Sequence, residues 1–326
     1  MIDPAGILRA LDPCTSILIS VHKNPDGDAL GSQLALMLAL ERTGKKVTLH
    51  NLDPVPEMYR FLPQGDRIKT GRPVHGAFDA IIVLDAEPTR TGLFDGAYPA
   101  RTLINIDHHI TNPLEWPLTW LDANASATGE MIYKLITLMN APIDRDAALC
   151  LYTAILTDTG SFRYSNTTPV CMRIAATLLE AGADSWLVTE NVYESFGYPR
   201  LKLLGMVLSA VERSADGRTA WVVVTDELYR QTNTTAEDTD SFINFVRSVK
   251  GVEVAVLFRQ TGPVQYKISL RSKGRVDLSA LAQTLGGGGH KNAAGGVIDG
   301  TLQDAKLKVL DAVQKALIAQ LGSVNA

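Results

Sequence analysis

Along its first hundred residues the chain alternates short, continuously apolar runs with longer stretches whose apolar positions recur every three to four residues. SILISV (16–21) predicts a buried strand, 29–44 a helix with Gly44 near its end, and KVTLHN (46–51) the next strand. DAIIVLD (79–85) and RTLINID (101–107) add two more buried strands. Continuous apolar strands joined through helices imply a parallel sheet covered on both faces, a doubly wound α/β layer.

From about residue 125 the period is helical, in 129–140, 146–156 and 170–182, and again in 198–213. Strand-like runs return at 219–226, 252–260 and 264–272, and the Thr261-Gly262-Pro263 turn between the last two predicts an antiparallel hairpin. A short helix at 277–285 leads into the glycine-rich 286–296, and an amphipathic helix occupies about 302–320. The expected organisation is a parallel-sheet catalytic domain over 1–195, a helical linker over 196–216 and a smaller α+β substrate-binding domain over 217–326. A length of 326 residues with 46% hydrophobic positions is enough for two cores of ordinary size.

Charge and cysteine usage narrow the class. Lys and Arg number 31 against 35 Asp and Glu, a net charge of -4, so no basic field suits a long polynucleotide. The first residues lack the basic start and apolar core of a signal peptide, and no apolar run reaches a membrane-spanning length, so no membrane association is expected. Cys14, Cys150 and Cys171 are odd in number and widely spaced, which argues against disulfides and for a reducing cytoplasm.

The chemistry collects where strands end, the place at which open parallel sheets bind ligands. His22, Asp26 and Asp28 follow the first strand, Asp85 closes the third, and Asp107-His108-His109 closes the fourth. Asp158 ends a helical stretch that could bring a carboxylate to the same cleft. Taken singly, Asp28 reads as a helix cap, Asp26-Gly27 as a turn, Asp158 as a helix end, and either histidine as a satisfied structural residue. Three strands finishing on ligand-type residues weakens those separate readings. Asp26, Asp28, Asp85 and Asp158 in one pocket would have to take up protons unless cations neutralised them. Two divalent ions would balance the charge, and mixed imidazole and carboxylate ligation suits manganese, zinc, iron or cobalt better than calcium.

These residues, in this order, resemble the motifs of the DHH phosphoesterase family: His22-x-x-x-Asp26-x-Asp28, Asp85, Asp107-His108-His109 and Asp158. The stretch Gly286-Gly287-Gly288-Gly289-His290-Lys291-Asn292-Ala293-Ala294-Gly295 resembles the signature of the DHH-associated substrate-binding domain. The resemblance implies one metal on His22, Asp26 and Asp85 and another on Asp28, Asp85, His108 and Asp158, with Asp85 as the bridge. It further implies that His109 meets the substrate phosphate, that Asp107 orients a histidine, and that a metal-activated water attacks without a covalent enzyme intermediate. Two manganese ions are the expected cofactors.

In the second domain, consecutive glycines let backbone N–H groups approach a phosphate. Gly287, Gly288 and Gly289 are therefore candidate substrate contacts, with His290 and Lys291 adding charge and Arg271 as a second anchor. Alone, the glycines read as a flexible linker and Arg271 as a solvated strand end. A compact two-domain member with this signature resembles the branch that degrades very short single-stranded RNA oligonucleotides to mononucleotides and dephosphorylates 3′,5′-adenosine bisphosphate (pAp). Substrate would sit between the domains, with a hinge near 196–216. The alternatives are a linear or cyclic di-adenylate phosphodiesterase, an inorganic pyrophosphatase or a non-catalytic nucleotide sensor. A homodimer is the default quaternary expectation.

Overall fold

The computed structural model of the protein describes residues 2–72, 74–289 and 291–322. It divides into two compact units, Met1–Ser195 and Phe196–Ala326. The first is built on six strands, β1 (Ser16–Ser20), β2 (Lys46–Asn51), β3 (Lys69–Thr70), β4 (Phe78–Leu84), β5 (Ala100–Asp107) and β6 (Leu118–Leu121). They form one sheet in the order β3-β2-β1-β4-β5-β6, and every pairing is parallel. The order reverses between β1 and β4, so their carboxyl ends flank the switch point where doubly wound sheets place a ligand.

Among the described residues, six α-helices accompany this sheet: α1 (Pro4–Leu11), α2 (Gly27–Arg42), α3 (Thr128–Leu138), α4 (Arg145–Asp158), α5 (Pro169–Glu180) and α6 (Ser185–Tyr193). Alternation along the strands sorts the core. Ile17, Ile19, Ala80, Ile82, Ile104 and Ile106 pack into the cluster that holds the helices. Leu18, Ile81 and Val83 face the other way onto Trp116, flanked by Phe94 and Tyr98, in a cluster to which, among the described residues, no α-helical residue contributes. The crossovers β4→β5 and β5→β6 run through loops, since Pro88, Gly92, Gly96 and Pro99 interrupt any α-helix in the first of them.

α2 is buried on nearly every side, as a helix apolar all round requires, and it lies close against α4. A Cβ on Gly31 would come within 2.3 Å of the Cys150 carbonyl oxygen, and one on Gly27 within 2.5 Å of Thr157 Oγ1. This contact sets the spacing between the amino end of α2 and the carboxyl end of α4, which carry Asp28 and Asp158.

The second unit comprises α7 (Tyr198–Ser209), β7 (Glu212–Arg213), β8 (Thr219–Val224), α8 (Asp226–Thr232), α9 (Phe242–Ser248), β9 (Val254–Gly262), β10 (Gln265–Ser272), α10 (Ser279–Thr284), β11 (Gly288–Gly289), β12 (Ala293–Asp299) and α11 (Leu302–Leu321). Its sheet runs β11-β12-β10-β9-β8-β7, antiparallel except for the β8–β9 pair. Ala305, Val309, Val313 and Leu317 of α11 pack on one face, while Leu203 and Val207 of α7 join Ala220, Val222 and Phe242 in the other core. The segment 196–216, read from the sequence as a linker, thus contributes core residues to this unit. Among the described residues, no helix is long and apolar enough to cross a membrane.

The glycine-rich stretch read as a loop turns out to include a short hairpin, with Gly288 opposite Gly295 and Gly289 opposite Ala294. Glycine is demanded here by backbone crowding: a Cβ on Gly287 would sit 2.0 Å from the Gly295 carbonyl oxygen, and one on Gly295 2.4 Å from that of Ile268.

Candidate metal centre

His22 leaves the end of β1 with Nδ1 2.8 Å from the Lys23 carbonyl oxygen. A ring whose Nδ1–H donates to that carbonyl presents Nε2 as its basic nitrogen, and Nε2 lies 3.5 Å from Asp85 Oδ2 and 3.9 Å from Asp26 Oδ1. Asp26 does two things. As the N-cap of α2 it accepts from the amides of Asp28 and Ala29 at 3.1 and 3.0 Å, and the same carboxylate faces His22. The helix-cap reading therefore holds for Asp26, not for Asp28.

Asp28 lies inside the first turn of α2 and is fully buried. It accepts from the amides of Thr128 and Gly129 at 2.7 and 2.8 Å and from the Ser32 hydroxyl at 3.2 Å. Asp85 follows β4 with φ of 62°, a left-handed conformation that swings its carboxylate out of the strand's alternation. Its Oδ1 accepts from the Thr128 hydroxyl at 2.9 Å. Oδ2 faces His22, whereas Oδ1 faces His108 at 3.6 Å.

His108 has Nδ1 3.3 Å from the Ala125 carbonyl oxygen, which again points Nε2 inward. Nε2 is 3.6 Å from Asp85, 3.8 Å from Asp28 and 3.7 Å from Asp158, and it is buried without a hydrogen-bond partner among the described residues. Those separations are too long for hydrogen bonds, yet donors sharing one ion at ~2.1 Å stand roughly 3–3.5 Å apart. Asp158, at the last residue of α4, is steadied through Oδ2 by the Asn166 side-chain amide at 3.2 Å.

His109 is held differently. Its Nδ1 is 2.7 Å from Asp107 Oδ1, which also accepts the His109 amide at 3.0 Å. Asp107 Oδ2 accepts from the Asn112 side chain at 2.7 Å, and Asn112 in turn bonds Asn105 at 2.8 Å, so the orienting carboxylate is itself fixed.

Three ligand-type groupings result: His22–Asp26–Asp85, Asp28–His108–Asp158 and Asp85–His108–His109. Their electrostatics call for a cation. Burial and the charges of Asp85, Asp158 and Asp26 push Asp28 well above the usual carboxylate range, although the Gly129 amide opposes them. Burial likewise raises Asp158 to about 7, against the pull of His108. Asp85 is buried too, but His22, His109 and His108 hold it below that range. For His22 and His109, burial alone would lower the pKa. Asp85 and Asp26 around the first, and Asp107, Asp85 and Asp158 around the second, outweigh it and raise both to about 9. With an inward-facing, unpartnered His108 Nε2 and carboxylates left charged only at a cost, these donors fit divalent ions.

The second-unit candidates stand by themselves. Gly287 precedes β11, Gly288 and Gly289 form it, Lys291 is exposed, and Arg271 on β10 pairs across to Ala293 of β12, beside the hairpin. Its Nη1 donates to the Leu270 carbonyl at 3.1 Å. His290 lies outside the described residues. Thr128, Asn112 and Asn166, which support the cluster, were not singled out from the sequence. Asn112 and Asn166 follow Asp107 and Asp158 closely in the chain, whereas Thr128 lies 100 and 43 positions from Asp28 and Asp85.

Residues 16–155 match the model of the DHH family, N-terminal domain, and residues 213–321 match the DHHA1 domain. The bifunctional oligoribonuclease and PAP phosphatase NrnA of Thermus thermophilus is 37% identical, over 96% of this chain and 93% of that protein. The protein of the same name from Bacillus subtilis is 28% identical, over 90% of this chain and 92% of that protein. An exopolyphosphatase-related protein from Bacteroides fragilis has a solved structure that superposes with a TM-score of 0.89 at 29% identity, covering 96% of this chain and 95% of that one.

Proposed function

Because the chain belongs to the DHH family and carries a DHHA1 domain, it is a hydrolase of phosphoester bonds, and we propose that it cleaves very short RNA oligonucleotides to mononucleotides and removes the 3′-phosphate of pAp. The observation that carries this reading is the buried, unpartnered His108 Nε2 facing Asp28, Asp85 and Asp158. His22, Asp26 and Asp85 would hold one divalent ion and Asp28, Asp85, His108 and Asp158 the other; Asp85 turns Oδ2 toward His22 and Oδ1 toward His108. Bound there, two manganese ions would neutralise phosphoryl charge and lower the pKa of the attacking water.

The remaining work falls to side chains. Asp107 fixes the His109 ring through Nδ1 and, with Asp85 and Asp158, raises its pKa to about 9 in the absence of ions. His109 thereby stabilises charge on the phosphoryl oxygens and supplies a proton to the departing oxygen. Anchoring of the nucleotide is assigned to Gly287, Gly288, Gly289, His290, Lys291 and Arg271, where backbone amides and cationic side chains suit a terminal phosphate. Three buried, free cysteines accord with a reducing cytoplasm.

Metal binding should depend on pH with a definite sign. His22 sits at about 9 and Asp158 at about 7 in the absence of ions, so at pH 7 the first is protonated and the second about half protonated, and ligation must displace those protons. Manganese binding is expected to release protons and to tighten as pH rises from about 6 to 9. Calorimetry in two buffers of different ionisation enthalpy measures the release; binding that tightens on acidification would contradict it. The substrate assignment is tested by a side-by-side panel of pAp, RNA dimers to pentamers, linear and cyclic di-adenylate and pyrophosphate with manganese. Preferred turnover of pAp and short RNA is expected. Preferred turnover of di-adenylate or pyrophosphate would reassign the enzyme, and binding without cleavage would make it a sensor.

A further inference from the structure

α3 begins without a cap of its own, because its N-cap position is Ala127, which has no side-chain oxygen to receive the first amides. Asp28, a hundred residues earlier in the chain, takes that place by accepting from the amides of Thr128 and Gly129 at 2.7 and 2.8 Å. The arrangement gives a buried carboxylate the positive end of a helix, which favours its charged form. Thr128 also reaches the second carboxylate, donating its hydroxyl to Asp85 Oδ1 at 2.9 Å. One fully buried residue is thus bonded both to Asp28, on α2, and to Asp85, at the end of β4.

The start of α3 is fixed on its other sides. Glu130 accepts from the Ser126 amide and hydroxyl at 3.1 and 2.9 Å and pairs with Lys134 at 2.8 Å, which locks the turn ahead of the helix. A Cβ on Gly129 would lie 2.5 Å from that of Ala154, so the helix start is pressed against α4 and leaves Thr128 little freedom. Thr128 lies outside the ligand set, yet its two bonds fix the relative orientation of two ligands that come from different elements.

We propose that Thr128 is a positioning residue for both halves of the metal centre, its amide orienting Asp28 and its hydroxyl orienting Asp85, so that ions enter a pre-set pair of carboxylates. The inference rests on the metal reading of the site. Partners that orient metal ligands typically contribute about 10–100-fold in metal affinity. Thr128→Val keeps the shape and the amide but deletes the hydroxyl; Thr128→Ala does so with no steric demand, and Thr128→Ser restores the hydroxyl.

Manganese titration of the metal-free full chain by calorimetry, with far-UV circular dichroism and melting temperature as fold controls, separates the outcomes. Both the valine and alanine variants are expected to keep the wild-type fold and to bind manganese about 10–100-fold more weakly, with serine recovering most of the loss. Wild-type affinity in folded Thr128→Val or Thr128→Ala, or no recovery in Thr128→Ser, would overturn the inference alone. Absence of manganese binding by the wild-type chain would overturn the metal reading and this inference with it.

Discussion

Asp85→Asn is expected to leave the fold intact while removing about three orders of magnitude or more from kcat/KM. Asparagine tolerates the left-handed φ of 62° and can still accept from the Thr128 hydroxyl, so backbone and packing are spared. What disappears is the carboxylate that, alone among the described residues, faces both histidines, Oδ2 toward His22 and Oδ1 toward His108. Losing ion-based charge stabilisation worth several kcal/mol, taken as ~4 kcal/mol, corresponds to about 10³-fold in rate. Steady-state kinetics on pAp, with bound manganese counted per chain, is the check. Activity within about tenfold of wild type would mean that Asp85 does not join the two sites.

His109→Ala should separate chemistry from metal binding. With Nδ1 engaged by Asp107 at 2.7 Å, the ring is assigned to the phosphate and departing oxygen rather than to an ion. Deleting it is expected to lower kcat by about 10²–10⁴-fold while manganese stoichiometry and affinity stay near wild type. A substrate with an activated aryl leaving group, which needs no proton on departure, should recover part of the loss. The competing arrangement is Asp85–His108–His109 as a ligand set. Loss of an ion from His109→Ala would establish that arrangement and end the proton-donor assignment.

Much of the first unit was legible because its central strands are continuous apolar runs with polar exits. β1, β2, β4 and β5 fall within a residue or two of the expected spans, and His22, Asp85 and Asp107-His108-His109 stand at three of their ends. β6, α1, α8 and α9 were not anticipated: at four to eight residues they are too short to show a period, and they lack the continuous apolar runs that mark β1 and β4. The absence of an α-helix from the β4→β5 and β5→β6 crossovers was missed because parallel strands usually return through helices. In the glycine-rich stretch the strand signal is absent: Gly288 and Gly289 pair because backbones approach closely, whereas strand propensity reflects side-chain packing.

Within the candidate centre, ligand-type residues could be picked out one by one from their positions at strand and helix ends. Their supports could not. The Thr128–Asp28 and Thr128–Asp85 bonds join residues 100 and 43 positions apart. Asn112 matters through Asp107, and Asn166 through Asp158, and neither side chain has a sequence pattern that distinguishes it from an ordinary turn residue. Asp26 shows why one role per residue is too few: it is a helix cap by its bonds to α2 and a ligand-type carboxylate by its approach to His22.

The central claim, a phosphoesterase that depends on two ions held by this cluster, is met most directly by titrating chelator-stripped protein with manganese while following phosphate release from pAp. Turnover should be absent without metal, appear as bound manganese rises, and saturate at two ions per chain. Full turnover in the stripped protein, or saturation with a single ion bound, would contradict it.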